Sequence, residues 1–583
     1  MALKRYSASA DTTIVNAFQP NLSTRGTGAN AGLSDVLETF SIYGRESTSS
    51  AELSRVLVKF PVDDISSDRT AGTVPASGNV SFYLRMFNAD NSKTAPRDMT
   101  MVIHAVSQSW QEGIGLDIEG YKDLTVGNTG ANWMSASDSA YWTDINDTLL
   151  AGGSYHTQSI PNDDVDTEIH IFKQTFPEGT GDLEINITPL MEQWIAGTYS
   201  NYGVGIFLTA SQEAYESGSA PLLEFRIPGE LAVDGEDTTQ SVLYNPSGST
   251  KSYYTKRFFA RGSQYFFKRP LIEARWNDIT RDDRGGFYYS SSLASNEDNL
   301  NTIYMYNYVR GRLADIPNLG DDKRIYVSLY SGSVGGFYSE QGGGDGDDIG
   351  PIDIPVSGAS AANTGSIQIL SADGNGTTNA NVRTSYLTVV TGGIVETGIY
   401  TASFAFTGTT LLKTVYDVWF TGSDTVSNAN DASTQYFTGA ISPIILDASP
   451  LSLKPSYFVD ITNLKNSYYS GETTRFNVFV RDRNWSPNIY TKATNNISSI
   501  MIQSASYRVY RLLDGYNVVT YGTGSDLHTG LSYDVSGNYF DFDMSLLDPG
   551  YAYGIKFAFY NSAVSSWVEQ NQTFKFRVED YEY

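Results

Sequence analysis

The stretch 183–209, LEINITPLMEQWIAGTYSNYGVGIFLT, constrains the fold more tightly than any other part of the chain. Apolar and polar residues alternate from Leu183 to Ile187, which predicts a strand with one buried face. Thr188-Pro189 then predicts a helix start, with the hydroxyl as cap and proline in the first turn. Gly197 can end that helix, and 202–208 returns as a strand. The apolar residues at helical spacing are Leu190, Met191, Trp194 and Ile195.

Two further motifs precede this stretch. An Arg-x-Leu-x-x-Phe strand lies at 55–60, and a strand followed by Trp-x-Glu-Gly ends at 110–113. In order and spacing, the three motifs resemble the hallmarks of the DNRLRE-type, disaggregatase-related family. That resemblance implies a β-sandwich similar to jelly-roll carbohydrate-binding modules. The residues that carry it are Arg55, Leu57, Phe60, Trp110, Glu112, Gly113, Thr188, Trp194, Gly197, Asn201, Tyr202 and Gly203.

The composition favours β-structure along the whole chain. Its 40 Tyr and 28 Phe suit pleated surfaces, and its 53 Gly suit the turns between strands. A chain of 583 residues is too long for one hydrophobic core. We therefore predict an all-β chain of tandem β-sandwiches. A jelly-roll-like module at 1–230 is followed by immunoglobulin-like domains at 241–447 and 448–583. A Gly/Asp-rich insertion is expected around 335–363, with a domain split near 345 as the alternative.

Charge and residue usage exclude several classes of protein. The net charge of -26 argues against nucleic-acid binding, because phosphates would repel the chain. With 0 Cys, the chain can form no disulfide, thiolate zinc site or cysteine nucleophile. The N-terminal sequence lacks an apolar signal-peptide core, and no run of residues is apolar enough for a membrane span. We expect folding in a host cytoplasm.

Catalytic and metal motifs find little support. The 4 His have no metal-site spacing, and neither a nucleophile elbow nor a Walker loop occurs. Asp345, Asp347 and Asp348 lie on a glycine-rich stretch, but their spacing differs from an EF-hand, so a solvated insertion is favoured over calcium binding. We predict no catalytic residue, no metal and no cofactor, and therefore no enzyme. Paired carboxylates for glycoside hydrolysis stay open, because their separation cannot be read from sequence.

Two groups of residues are candidates for binding. Trp110, Glu112 and Trp194 can form an aromatic and carboxylate platform for a sugar, although large aromatics more often serve packing. The segment 251–284 holds nine Lys/Arg against four Asp/Glu, with aromatic residues interleaved. Arg and aromatic residues anchor protein interfaces, so this segment is the predicted partner contact. A basic patch internal to a domain junction is the alternative. The predicted contact residues are Arg257, Phe258, Phe259, Arg261, Phe266, Phe267 and Lys268.

These features together predict a non-enzymatic structural protein of a tailed-phage virion, located on the tail, neck or capsid surface. Tandem immunoglobulin-like modules are similar to those on phage heads, necks and tails. Its partners would be other virion proteins and copies of itself, bound through Tyr-, Phe- and Arg-rich faces. The alternative is a glycan-binding host-recognition adhesin that binds host surface polysaccharide. A polysaccharide-cleaving enzyme and a secreted bacterial surface protein are further alternatives.

Overall fold

The computed structural model describes the chain as two compact units, Ala2–Asn277 and Asp278–Tyr583. The described residues are 2–18, 26–44, 50–90, 96–116, 130–144, 147, 149–156, 171–215, 245–291, 294–295, 298–317, 319, 323–332, 367–370, 377–378, 381–382, 389–408, 414–429, 431, 433–445, 456–485, 499–524 and 526–580.

The described part of the first unit consists of strands and two short helices. Its strands are β1 (Leu3–Ser7), β2 (Ala10–Asn16), β3 (Val36–Gly44), β4 (Ser50–Lys59), β5 (Val80–Met86), β6 (Met99–Ala105), β7 (Ser135–Ser137), β8 (Ala140–Tyr141), β9 (Ile171–Phe176), β10 (Leu183–Asn186), β11 (Val204–Leu208), β12 (Tyr253–Phe259) and β13 (Leu271–Trp276). Its helices are α1 (Val62–Thr70) and α2 (Thr188–Ile195).

These strands form a β-sandwich of two main sheets. The smaller sheet has the order β1-β13-β5-β10. The larger has the order β12-β3-β4-β11-β6-β9, and β2 also pairs with β4. Alternate residues of both sheets meet in one core, to which β4 contributes Val56 and Val58 and β5 contributes Phe82 and Leu84. Burial of these apolar faces stabilises the sandwich.

The larger sheet also buries part of its opposite face. Leu53 and Leu57 of β4 point to that side, as strand alternation requires, and pack in a second cluster. Trp133 and Trp142, both at most 1% exposed, come from the chain between β6 and β9 and cover this face. The described residues 130–144 and 149–156 of this excursion, here called the covering segment, therefore pack on their own sheet.

Helix α2 confirms the predicted strand–helix–turn–strand unit, except at its start. Leu190, Met191 and Trp194 are buried, and Gly197 follows the helix at a positive φ of 73°. The Thr188 hydroxyl does not cap the helix, contrary to the prediction. It accepts a hydrogen bond from the backbone N–H of Phe82 at 2.8 Å instead, which ties the helix start to β5.

The second unit is also built of strands in its described part. Its strands are β14 (Leu300–Tyr306), β15 (Tyr308–Val309), β16 (Arg312–Leu313), β17 (Ile325–Gly332), β18 (Ile367–Leu370), β19 (Thr377–Thr378), β20 (Asn381–Val382), β21 (Val390–Glu396), β22 (Ile399–Gly408), β23 (Thr414–Phe420), β24 (Gln435–Ile441), β25 (Tyr457–Ile461), β26 (Ser467–Tyr469), β27 (Thr473–Asp482), β28 (Ala505–Arg511), β29 (Asn517–Val519), β30 (Ser532–Asp534), β31 (Gly537–Asp543), β32 (Ala552–Asn561), β33 (Ser566–Glu569) and β34 (Phe574–Glu579). One helical turn, α3, spans Val426–Ala429.

Two strand systems make up this unit. In the first, seven strands form one sheet in the order β14-β22-β21-β17-β23-β24, with β18 on β22. In the second, the sheets β25-β27-β31-β30 and β26-β34-β32-β28-β29 enclose an aromatic core, in which Tyr507 stacks on Phe540 with ring centroids 4.2 Å apart. In β32, Tyr553, Ile555 and Phe557 are buried on one face and Gly554 and Ala558 on the other, so the middle of this strand is covered on both sides.

The all-β class and the β-sandwich architecture are confirmed. The boundary expected between 230 and 241 is wrong: it falls between Asn277 and Asp278, because β12 pairs with β3 and β13 pairs with both β1 and β5. The predicted second and third domains belong to one compact unit. The insertion around 335–363 lies outside the described residues. Among the described residues, no helix combines the length and apolar character that crossing a bilayer requires.

Candidate functional site

Arg55 of the first sequence motif is a half-buried cation that lies beneath the covering segment of the first unit. The guanidinium of Arg55 donates to both carboxylate oxygens of Glu213, at 3.1 and 3.0 Å, and to the carbonyl of Gly152 at 2.9 Å. It also lies over the rings of Trp133 and Phe207, 5.3 and 4.7 Å from their centroids. Burial lowers the pKa of Arg55, but Glu213 more than offsets this effect and the pKa is raised. Arg55 therefore holds the covering segment on the sheet through Gly152 and Trp133, while Glu213, which follows β11, balances its charge.

Hydrogen bonds from side chains to backbone carbonyls join the third motif to the other two. The indole Nε1 of Trp110 donates to the carbonyl of Tyr202 at 2.7 Å, and the Asn201 amide donates to the carbonyl of Phe60 at 2.8 Å. Gly203 has a φ of 81°, and a Cβ there would lie 2.2 Å from the carbonyl oxygen of Val58. The motif residues thus have structural roles that explain their types.

The predicted sugar platform is wrong with respect to Trp194. That side chain is 6% exposed and belongs to the core between the two sheets. Trp110 packs against the cluster on the opposite face of the larger sheet. Glu112 is engaged in an ion pair with Arg261, as described next. The three residues therefore do not form one aromatic surface for a sugar ring.

Glu112, Arg261 and Asp11 form a half-buried charge cluster at one end of the sandwich. Arg261 donates from Nε and Nη2 to the two carboxylate oxygens of Glu112, at 3.1 and 2.7 Å. The backbone N–H of Arg261 donates to Asp11 at 2.5 Å, and that of Asp11 donates to Glu112 at 2.9 Å. Burial raises the pKa of the Asp11 carboxyl to about 7; the Arg261 backbone contact opposes this shift and the charge of Glu112 adds to it. Glu112 and Arg261, which are predicted in two separate sites, therefore lie in one cluster.

Three loops around this cluster are locked together by a buried asparagine. The Asn30 amide donates to the carbonyls of Glu112 and Ala131, at 2.8 and 2.9 Å, and its Oδ1 accepts from the N–H of Gly115 at 2.9 Å. Asn30 is 0% exposed. A Cβ on Gly32 or Gly115 would come within 2.2 Å of a neighbouring carbonyl oxygen. The loops are thus held rigidly by packing and hydrogen bonds.

Two of these loops and the neighbouring loop at 261–269 present large apolar side chains to solvent. The exposed fractions are 44% for Leu33, 50% for Ile114, 52% for Tyr265 and 58% for Phe266. The N–H of Leu33 donates to the carbonyl of Gly115 at 2.9 Å, which joins two of the loops. We call this region the loop surface; its residues are Leu33, Ile114, Arg261, Tyr265, Phe266 and Lys268.

Cations lie beside the aromatic rings of the loop surface. The Lys268 ammonium is 5.2 Å from the ring centroid of Phe259, and the Arg269 guanidinium is 4.9 Å from that of Phe266. Phe266 and Phe267 also make an edge-to-face contact, with centroids 5.5 Å apart. The surface therefore combines apolar area with positive charge, in contrast to the net charge of -26 of the chain.

Two of the seven predicted contact residues are used inside the domain. Phe258 is 0% exposed and belongs to the sandwich core, so its assignment to an interface is wrong. Arg257 forms an ion pair with the buried Glu38. Phe259, Arg261, Phe266, Phe267 and Lys268 lie at or beside the loop surface. Sequence reasoning missed Leu33 and Ile114, because a single apolar residue in a loop gives no periodic signal.

The metal hypothesis has no further support among the described residues. They contain no cluster of three or more His, Asp or Glu side chains that could hold an ion. Asp345, Asp347 and Asp348 lie outside the described part of the chain.

Comparisons with known proteins return only weak structural likenesses. No family model and no curated protein matches the chain. A solved structure of DIP-gamma IG1+IG2 is similar at 10% identity, covering 37% of this chain and 83% of that one, with a TM-score of 0.10. A DUF4785 family protein from Legionella pneumophila shows 7% identity, coverage of 93% and 90%, and a TM-score of 0.11. Trypsin-activated alpha-2-macroglobulin from Escherichia coli shows 10% identity, coverage of 83% and 29%, and a TM-score of 0.13. Scores this low support no inference about this chain.

Proposed function

We propose that the protein is a non-enzymatic structural component of a tailed-phage virion and acts by protein–protein assembly. The observation that carries the proposal is the loop surface, where four large apolar side chains are 44–58% exposed. Leu33 and Ile114 lie on loops that the hydrogen bonds of Asn30 join, and Tyr265 and Phe266 lie on the loop that Arg261 ties to Glu112. Exposed apolar area of this kind marks interaction surfaces in folded proteins. The sequence resemblance and the tandem sandwiches add support for a virion component.

The chemistry of the loop surface favours an acidic protein partner. Tyr, Phe and Arg side chains at the centre of an interface supply most of its binding energy. Positive charge from Lys268 and Arg269 complements an acidic face, and each copy of this chain carries a net charge of -26. Another copy of the chain, or an acidic neighbour in the particle, fits these properties. Copies arranged by symmetry raise the effective concentration, so each contact can be modest.

Incorporation into particles tests the proposal. Mass spectrometry of density-purified tailed-phage particles, from the lysate in which this chain is made, should detect it at a fixed ratio to the capsid protein. A triple variant, Tyr265→Ala, Phe266→Ala and Lys268→Glu, should reduce incorporation at least about tenfold. A tenfold reduction corresponds to a loss of about 1.4 kcal/mol of binding free energy. Lys251→Glu makes the same charge change at an exposed lysine outside the loop surface and should leave incorporation unchanged.

Two results would contradict the proposal. One is a wild-type chain that never co-purifies with particles although it is produced in the same cells. The other is a triple variant that folds and is incorporated like wild type, which would remove the loop surface from the account. A chain absent from particles that binds host polysaccharide would favour the glycan-binding alternative instead.

A further inference from the structure

A buried lysine lies against an asparagine amide inside the first unit. Lys256 on β12 is 1% exposed, and its Nζ is 2.5 Å from Oδ1 of Asn88, just after β5. Its other hydrogen bonds go to the carbonyls of Gly179 and Gly181, at 2.8 and 2.6 Å. The ammonium is thus fixed with one N–H directed at the Asn88 amide.

The surroundings of this contact are apolar and aromatic. Nζ lies 5.3 Å from the ring centroid of Phe176 and 4.9 Å from that of Phe258. Phe87, which precedes Asn88, is 2% exposed. Burial lowers the pKa of Lys256 to about 8, and the charge of Asp182 opposes this shift. A substantial fraction of Lys256 is therefore the neutral, nucleophilic amine in mildly alkaline solution.

A carboxylate lies beside the backbone of the same asparagine. Asp182 accepts a hydrogen bond from the backbone N–H of Asn88 at 2.7 Å, and it is the acid whose charge acts on Lys256. A carboxylate in this position can take a proton from the lysine nitrogen and return it to a leaving group. Nucleophile, electrophile and proton carrier thus lie together at the edge of the core, where Lys256 is buried and Asp182 is exposed to solvent.

We propose that Lys256 and Asn88 join in an intramolecular isopeptide bond. The lone pair of the neutral Nζ attacks Cγ of Asn88, a Cγ–Nζ bond forms, and the Cγ–Nδ2 bond breaks. Nδ2 leaves as ammonia, after one proton has passed from Nζ to Nδ2 through the Asp182 carboxylate. The atoms balance without an oxidant or co-reactant: an amine and a primary amide give a secondary amide and ammonia.

The bond would tie the two sheets of the sandwich together covalently. Lys256 lies in β12 of the larger sheet, and Asn88 follows β5 of the smaller one, 168 positions earlier in the chain. A crosslink that closes so long a segment restricts the unfolded chain strongly. It also supplies the stabilising link that a chain with 0 Cys cannot obtain from disulfides. This inference does not depend on the proposed function.

The intact mass of the purified full chain, measured in denaturant, tests whether the isopeptide bond forms. The expected mass is one ammonia below the sequence mass, and digestion should yield a branched peptide that joins the segments around Asn88 and Lys256. Lys256→Arg and Asn88→Ala should each restore the full sequence mass. Lys173→Arg, the same substitution at an exposed lysine of β9, should keep the lighter mass.

Asp182→Asn should slow formation of the bond at least tenfold without preventing folding, because only the proton carrier is lost. A wild-type chain at the full sequence mass would overturn the inference, whatever the variants do. So would an ammonia loss that persists in Lys256→Arg, since this would map to an asparagine succinimide rather than to a crosslink.

Discussion

The strand and the loop of one basic segment use similar residues for opposite purposes. In β12, Lys256 and Phe258 point into the sandwich and are 1% and 0% exposed. In the loop at 261–269, Tyr265 and Phe266 are 52% and 58% exposed, and Lys268 lies beside the ring of Phe259. A basic and aromatic composition therefore does not by itself indicate a surface.

The difference lies in where the backbone finds its hydrogen bonds. In β12 the backbone pairs with β3, so side chains alternate between the core and the outside. The loop is fixed instead at its first residue, Arg261, through Asp11 and Glu112, and Tyr265 and Phe266 remain exposed. The segment's positive charge is partly neutralised inside the domain, by Glu38 for Arg257 and by Glu112 for Arg261.

Alanine substitutions at two phenylalanines test this contrast most strongly. Phe258→Ala should lower the free energy of unfolding by about 3–5 kcal/mol, because it leaves a cavity between the sheets. Phe266→Ala should change it by less than about 0.5 kcal/mol, because the ring is largely in solvent already. Denaturant titrations of both variants beside the wild type provide the measurement.

A comparable loss of stability for the two variants would break the contrast, since it would mean that the loop is part of the core. In that case the loop surface could no longer be regarded as free for a partner.

The Asp11 carboxyl beneath the loop should give the first unit a distinctive pH response. Its pKa is raised to about 7 in the folded state, so the folded chain binds a proton there that the unfolded chain releases near pH 4. Stability from this group is present at low pH and is lost as the pH rises through about 7. The wild type should therefore lose about 4 kcal/mol relative to Asp11→Asn between pH 4 and pH 8.

Unfolding titrations of both proteins at several pH values measure this difference. All other carboxylates are present in both proteins, so their contributions cancel in the comparison. Parallel pH profiles for the wild type and Asp11→Asn would show that Asp11 is ionised throughout and would contradict the expected proton uptake.

Elements whose pattern lies within a short segment were predicted correctly from the sequence. Features that depend on pairing between distant strands were predicted wrongly. Periodicity identified α2, because its apolar pattern is contained within a few residues. The boundary at 230–241 failed because the place of β13 is set by pairing with β1 and β5, far away in the chain. Thr188 was misassigned for the same reason, since its hydroxyl bonds to β5.

The candidate site was predicted only in part. The composition of 251–284 pointed to a contact region, but alternation within β12 was needed to separate Phe258 from Phe259. Glu112 and Arg261 are 149 positions apart, and no pattern in the sequence connects them. The loop that carries Glu112 is held in place by close contacts of Gly32 and Gly115 with neighbouring carbonyl oxygens. These contacts cannot be read from the sequence.

The Glu112–Arg261 pair should contribute a smaller but measurable coupling energy. A double-mutant cycle with Glu112→Gln and Arg261→Met should give about 1 kcal/mol, because the pair is bidentate and its side chains are only 20% and 36% exposed. Arg475 and Asp541 form the same bidentate arrangement in the second unit, at 2.8 and 2.9 Å, but are 55% and 37% exposed. That cycle should give less, about 0.3 kcal/mol, and should decrease further in high salt. Equal coupling in the two cycles would mean that the loop is no more fixed than an ordinary exposed strand pair, and the rigidity assigned to the loop surface would have to be abandoned.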